Sequence, residues 1–329
     1  MNLSNERVHR AYCGVPTFLR CDYSPALEEL DADYAVIGVP YDDGSPFVGG
    51  SRFCARAVRE HSMRFGGGAL FDIENDREYL REALAEKRIV DVGDIDVVPS
   101  RGDLTMEKLT KSVAKIRAKG AMPIVLGGDH TLTFPVVRSF DTPIHVIQLD
   151  AHLDYSPVVS GMTYINSTSF RLLHDLDQVV GLTQIGIRSM RDSRQNALDA
   201  RAAGSRIVTV PELRRIGRQA VLSHIPEGAD CYLSIDIDAY DMSLVPGCVS
   251  AEPGGLVFDE MRALLEEIAR RSNVVGFDFV EINPPLDVAT GTTAYLGALT
   301  VAMCLGFIDH ERRKGGTSSD ELSRAPASR

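Results

Sequence analysis

No CxxC pair occurs among the six cysteines of this 329-residue chain, Cys13, Cys21, Cys54, Cys231, Cys248 and Cys304. Their scatter gives no support to a zinc knuckle or a disulfide framework and reads as small buried or indifferent thiols. Positive charge is in deficit, with 35 Lys and Arg against 46 Asp and Glu and a formal net charge of −11. Nucleic acid and anionic membranes are therefore disfavoured as partners, whereas a cationic small molecule suits the charge. An apolar leader is missing as well: "MNLSNERVHRAYCG" (1–14) has charges where a signal peptide needs an apolar core. No later stretch reads as a long uninterrupted apolar run. Together these absences lead to the expectation of a cytoplasmic protein.

What is present is ordinary globular material, 44% hydrophobic and 25% charged, enough for one large core. No break in composition divides the chain, so a single domain is expected over residues 1–310. The segment "ERRKGGTSSDELSRAPASR" (311–329) is polar and rich in Gly and Ser, and is expected to be a disordered tail. Apolar runs of strand type alternate with helical patterns. Strands are expected at 33–40, 88–98, 122–128, 143–152, 182–189, 206–210, 230–238 and 274–282. Helices are expected at 104–120 and 258–271, with a buried closing helix at 292–308. Such alternation predicts an α/β fold in three layers, α/β/α, around a mainly parallel sheet of about eight strands.

Three of the expected strands end in the same chemistry. "IVLGGDHT" (124–131) closes an apolar run with a glycine turn, Asp129 and His130. "IQLDAHLDYS" (147–156) offers Asp150, His152 and Asp154, and "LSIDIDAYD" (233–241) offers Asp236, Asp238 and Asp241. Side chains two apart on a strand share a face, and ligands of parallel sheets bind beyond the carboxyl ends of the strands. So much negative charge on one rim is unfavourable unless cations neutralise it, and it exceeds what one divalent ion balances. Two adjacent ions follow, with Asp150 and Asp236 as the bridges. Each motif alone reads more readily as a helix cap or a solvated turn; their conjunction at three strand ends favours the metal centre.

These motifs, followed by "EPGGL" (252–256) and "FDFVEINPPLD" (277–287), resemble the ureohydrolase family of arginases and agmatinases. The likeness begins at "IGVPYDDG" (37–44) and reaches "TTAYLGA" (292–298). It implies that His130, Asp150, Asp154 and Asp236 hold one ion, and Asp150, His152, Asp236 and Asp238 the other. Mn(II) is the usual family metal; carboxylate and imidazole ligands also accept Ni(II) or Co(II). Two cations lower the pKa of a shared water, so that hydroxide can attack a guanidinium carbon. Asp154 is implied as the proton relay to the leaving nitrogen, and Glu281 as the carboxylate that orients the guanidinium. A homo-oligomer, trimer or hexamer, is also implied.

Departures from the family pattern bear on the substrate. Asn166, in "TYINSTSFR" (163–171), stands where the family commonly has a histidine, and an amide cannot shuttle a proton at neutral pH. "GSRFCARAVR" (50–59) has Cys54 and Ala55 where the family has Gly-Pro. "GCVSAEPGG" (247–255) stands in place of the family's "GTGTPEPGG", placing Cys248, Val249 and Ser250 near the rim, where they either reshape the pocket or are neutral changes. The loop "YSPVVSGMTY" (155–164) is apolar and small, a poor reader of an amino-acid carboxylate. The expected substrate is thus a cationic guanidino compound without an α-carboxylate, agmatine or an unusual guanidine or biguanide. An agmatinase-like amidinohydrolase would release urea, or a urea derivative, and an amine. Two further readings stay open: a weakly active subunit paired with a paralogue, and a formimino-group hydrolase releasing formamide.

Overall fold

A computed structural model describes residues 10–65 and 69–323. Among the described residues eleven strands form: β1 (Asp22–Tyr23), β2 (Tyr34–Gly38), β3 (Leu70–Asp72), β4 (Arg77–Tyr79), β5 (Ile89–Asp94), β6 (Met122–Leu126), β7 (Ile144–Leu149), β8 (Val179–Ile187), β9 (Arg206–Thr209), β10 (Asp230–Asp236) and β11 (Asn273–Val280). Nine of them join one sheet in the order β1-β5-β2-β6-β11-β10-β7-β8-β9, and every pairing is parallel. The eight strands expected from the apolar runs are all present. The ninth, β1, is a two-residue edge strand, and β3 and β4 form a separate antiparallel hairpin. Segments of two or three residues are too short to show an alternation, which is why the sequence did not reveal them.

The sheet is a sandwich filling because its side chains alternate between two cores. Ile124 and Leu126 pack on one face and Val125 on the other; Ile147 and Val146 part in the same way. The first core is closed by the helices Phe258–Arg271 and Thr292–Ser323, the second by Gly102–Ala118 through Met106, Leu109, Val113 and Ile116. In Phe258–Arg271 the buried Met261, Leu264, Leu265 and Ile268 follow the helical repeat, and Glu260 accepts from the Val257 N–H at its start.

The last helix continues past residue 310, where the polar tail was expected to begin. Arg312 donates to the Val274 carbonyl at 2.8 Å and Arg313 pairs with Asp309 at 3.0 Å. Residues 324–329 of that segment lie outside the described residues. The stretch Thr292–Lys314 is long and apolar enough to cross a membrane, yet its most apolar window is 78% buried within the fold. It is packed as the core helix that the sequence suggested.

Strand order matters most for the site. β6, β11, β10 and β7 are consecutive at the centre of the sheet, so the chain ends that follow them share one rim. β11 is the last strand in the chain, yet it lies between β6 and β10.

Candidate metal centre

The turn after β6 is tight because Gly128 rests on the chain of residues 39–41: a Cβ there would sit 1.7 Å from the Tyr41 carbonyl oxygen. Gly128 N–H donates to the Val39 carbonyl and Asp129 N–H to that of Tyr41. Asp129 is buried and caps the short turn His130–Leu132 by accepting from the Thr131 N–H at 3.0 Å. His130, also fully buried, faces two ways. Its Nε2 lies 2.8 Å from Ser234 Oγ, and Ser234 in turn donates to Asp278 Oδ1 at 2.7 Å. Asp278 also accepts from the Tyr232 hydroxyl and from Thr133. Since the single Ser234 proton goes to a carboxylate, Ser234 accepts from Nε2–H, which leaves the Nδ1 lone pair of His130 free.

That Nδ1 looks onto three carboxylates: Asp150 Oδ2 at 3.0 Å, Asp154 Oδ2 at 3.1 Å and Asp236 Oδ2 at 3.2 Å. Asp150 also reaches toward His152, whose Nδ1 lies 3.5 Å from Asp150 Oδ1 and 3.0 Å from Asp238 Oδ2. The strands themselves end earlier than the same-face argument assumed, β7 at Leu149 and β10 at Asp236. Asp150, His152 and Asp238 converge through turns instead. Ala151 N–H donates to Asp238 and His152 N–H to Asp150, while Asp236 accepts from the Asp238 N–H. Asp154 swings back by adopting a left-handed backbone at φ 46°, and Glu281 does so at φ 69°. Left-handed conformations cost energy in residues other than glycine, and two of them at one rim mark a backbone shaped around this cluster.

The electrostatics fit a cation pair. Burial would lower both histidines, but the surrounding carboxylates push His130 well up and Asp238 and Asp150 push His152 to about 12. Burial and neighbouring carboxylates raise Asp154 to about 6 and hold Asp236 well above the carboxylate range. His130 Nδ1 and Asp238 Oδ2 are buried and have ion-pair neighbours at 3.0–3.2 Å but no well-directed hydrogen bond. A cluster that draws protons onto its histidines and still leaves buried ligand atoms without directed hydrogen bonds suits divalent ions better than hydrogen bonding alone. His130, Asp150, Asp154 and Asp236 could hold one ion, and Asp150, His152, Asp236 and Asp238 a second.

The cluster floors a cleft of about 210 Å³, small enough for a compact guanidine. Glu281, 6% exposed, lies on its wall; Oε1 accepts from the His130 N–H at 3.0 Å and from Asn166 Nδ2 at 3.3 Å. Burial, with Asp129 nearby, raises its carboxyl to about 8. Of the loop 155–164 only Ser156 lines the cleft, and Val159 and Met162 face outward, both more than half exposed. Asp241 stands apart from the cluster: it accepts from the N–H groups of Gly254 and Gly255 and so anchors the EPGG segment.

Several cleft residues escaped the sequence reading. Arg191, just beyond β8, sets Nη2 2.6 Å from His152 Nε2, with Nε bonded to Glu252 at 3.0 Å. Asp192 and the segment Ser45, Pro46 and Phe47 complete the mouth. No motif flags them. Ser234 and Asp278 did carry a signal: both are polar residues inside otherwise apolar strand runs.

Residues 32–306 match the arginase family model. The chain is 31% identical over 304 residues to proclavaminate amidinohydrolase of Streptomyces clavuligerus, covering 87% of this chain and 91% of that protein. It is 30% identical to an agmatinase of Pyrococcus horikoshii, over 79% and 87% of the two chains. The solved structure of the Streptomyces amidinohydrolase is similar in fold, with a TM-score of 0.82 at 29% identity over 92% of this chain and 99% of that one. By its matched domain, its sheet and its relatives, the chain belongs to the arginase family.

Proposed function

We propose that this protein hydrolyses the guanidinium group of a small cationic guanidino compound without an α-carboxylate, agmatine or a related guanidine or biguanide, giving urea or a urea derivative and an amine. The carrying observation is the convergence of two histidines and four aspartates beside Glu281 at the floor of one small cleft. Two divalent ions held there would make water nucleophilic near neutral pH; Mn(II) is the family precedent, and the donors also suit Ni(II) or Co(II).

The chain's own residues then have distinct tasks. Glu281 binds the guanidinium and fixes its carbon over the cluster; a cation beside it would return its raised carboxyl to the ionised form. Asp154, at the edge of the cluster and partly open to the cleft, takes a proton from the nucleophile and delivers it to the leaving nitrogen. Asn166 orients Glu281 through its amide and shuttles no proton. The cleft carries five carboxylates against the single guanidinium of Arg191, which Glu252 offsets, so a cationic substrate fits better than a zwitterion. A second reading, a guanidino acid held by its carboxylate, is favoured by Arg191 itself.

The test is urea release from agmatine, guanidinobutyrate, guanidinopropionate, arginine, free guanidine, substituted guanidines and biguanides, each with Mn(II) and with Ni(II). Guanidines lacking an α-carboxylate should lead and arginine should trail. In the same panel Asn166→His should raise activity on agmatine relative to the preferred substrate. Arginine as the best substrate would refute this assignment. Silence throughout would favour a subunit needing a paralogue, and formamide in place of urea a formimino hydrolase.

A further inference from the structure

A seventh side chain with ligand chemistry reaches the cluster. Asp236, Asp238 and Cys248 each offer a ligand atom, two carboxylate oxygens and Sγ, all within 4.8 Å of one another. Oxygen and sulfur ligands of one ion, at about 2.1 and 2.3 Å from it, stand up to about 4.4 Å apart. At tetrahedral angles the same bond lengths put the ligand atoms about 3.6 Å apart, so the triad closes around an ion with side-chain shifts of about an ångström. Independently of the thiol, Asp238 is 1% exposed and its Oδ2 makes no well-directed hydrogen bond, its one ion-pair neighbour being His152 Nδ1 at 3.0 Å.

The position of Cys248 is fixed by its backbone. Its N–H donates to the Val245 carbonyl at 3.1 Å, and it forms an isolated bridge to Ile282, next to Glu281. On the preceding residue, Gly247 N–H donates to Thr293 Oγ1 at 2.8 Å and its carbonyl accepts from the Asn283 N–H at 2.7 Å. A side chain at Gly247 would come within 2.8 Å of Asp287 Cβ, so the loop lies flush against the segment after β11. Cys248 is in no disulfide, and the titratable groups that face it, Asp236, Asp238 and Glu281, are carboxylates that disfavour a free thiolate nucleophile. Near these acids the role open to the sulfur is toward a cation.

We propose that Cys248 is a thiolate ligand of the ion held by Asp236 and Asp238, which makes that position softer than the one at His130. The sulfur gives its proton to solvent as the sulfur–metal bond forms. Thiolate ligation shifts preference from Mn(II) toward Ni(II) or Co(II). This inference rests on the metal-centre reading above and assigns which of the two positions discriminates among metals.

The experiment strips the full chain with a chelator and reloads it with Co(II), Ni(II) or Mn(II), for wild type, Cys248→Ser and Cys248→Ala. Close to two ions per chain should bind in each protein. Wild type loaded with Co(II) should show a thiolate-to-metal charge-transfer band in the near ultraviolet that both variants lack. The preference for Ni(II) over Mn(II) should fall about tenfold or more in the variants. X-ray absorption of the Ni(II)-loaded wild type should find one sulfur in the metal shell, an observation that stands even if a variant does not fold. Two ions bound with no sulfur in the shell and no charge-transfer band would overturn the role of Cys248 and leave the centre intact. Failure of wild type to bind any ion would overturn both.

Discussion

Glu281 Oε1 accepts a hydrogen bond from the backbone N–H of His130 at 3.0 Å, across 151 residues of chain. The wall of the cleft and the floor of the cluster are thereby one unit, and the charge of Glu281 can be tested separately from its shape. Glu281→Gln keeps an oxygen for the His130 N–H but removes the carboxylate that would face a guanidinium. We expect kcat/KM to fall at least about 100-fold, roughly 2.7 kcal/mol of transition-state stabilisation, with metal content unchanged. Steady-state kinetics beside elemental analysis reads both.

Asp150→Asn and Asp236→Asn each take a charge from the middle of the cluster. Turnover should drop at least about a thousandfold in either variant, ion content should fall, and the far-ultraviolet circular dichroism should match wild type. Near-native turnover in either would place the chemistry elsewhere.

Ser234→Ala breaks the link between His130 and Asp278. It should weaken metal binding by about 10–100-fold, because nothing then fixes the imidazole with Nδ1 unprotonated. It also leaves buried polar atoms without a partner, at a cost of about 1–3 kcal/mol in unfolding free energy. Metal titration and urea denaturation distinguish the two effects.

Arg191→Ala separates the two substrate readings. If the substrate lacks a carboxylate, its KM should change by less than about threefold, or about 0.7 kcal/mol. A tenfold or larger rise in KM would identify Arg191 as a carboxylate clamp and favour a guanidino acid.

Away from the cluster, His145 Nε2 lies 2.8 Å from Thr183 Oγ1, which lies 2.8 Å from His224 Nε2. Burial, with His224 nearby, lowers the His145 imidazole to about 4. The folded state thus favours neutral His145, whereas the unfolded chain protonates it near 6.5. Its contribution to stability is complete above about pH 6.5 and is lost as pH falls toward 4. Denaturation at pH 7 and pH 5 should show a smaller loss of stability in His145→Gln than in wild type; an equal loss would contradict this account.

The apolar runs alone located eight strands, because a parallel sheet covered on both faces buries nearly every residue of its strands. They also put His130, Asp150, His152, Asp154, Asp236 and Asp238 at strand ends, where charge behind a buried run stands out. The order of the strands was not legible. In a parallel sheet it is set by how the connecting helices pack, a non-local balance that leaves no local period. That order inserts β11 between β6 and β10 and so brings Glu281 to His130. Tertiary structure likewise decided the left-handed turns at Asp154 and Glu281, the pairing of Ser234 with Asp278, the place of Arg191 at the cleft and that of Cys248 beside Asp236 and Asp238. Each of these depends on what lies across the sheet or across the loop, and spacing along a single chain does not encode a neighbour in space.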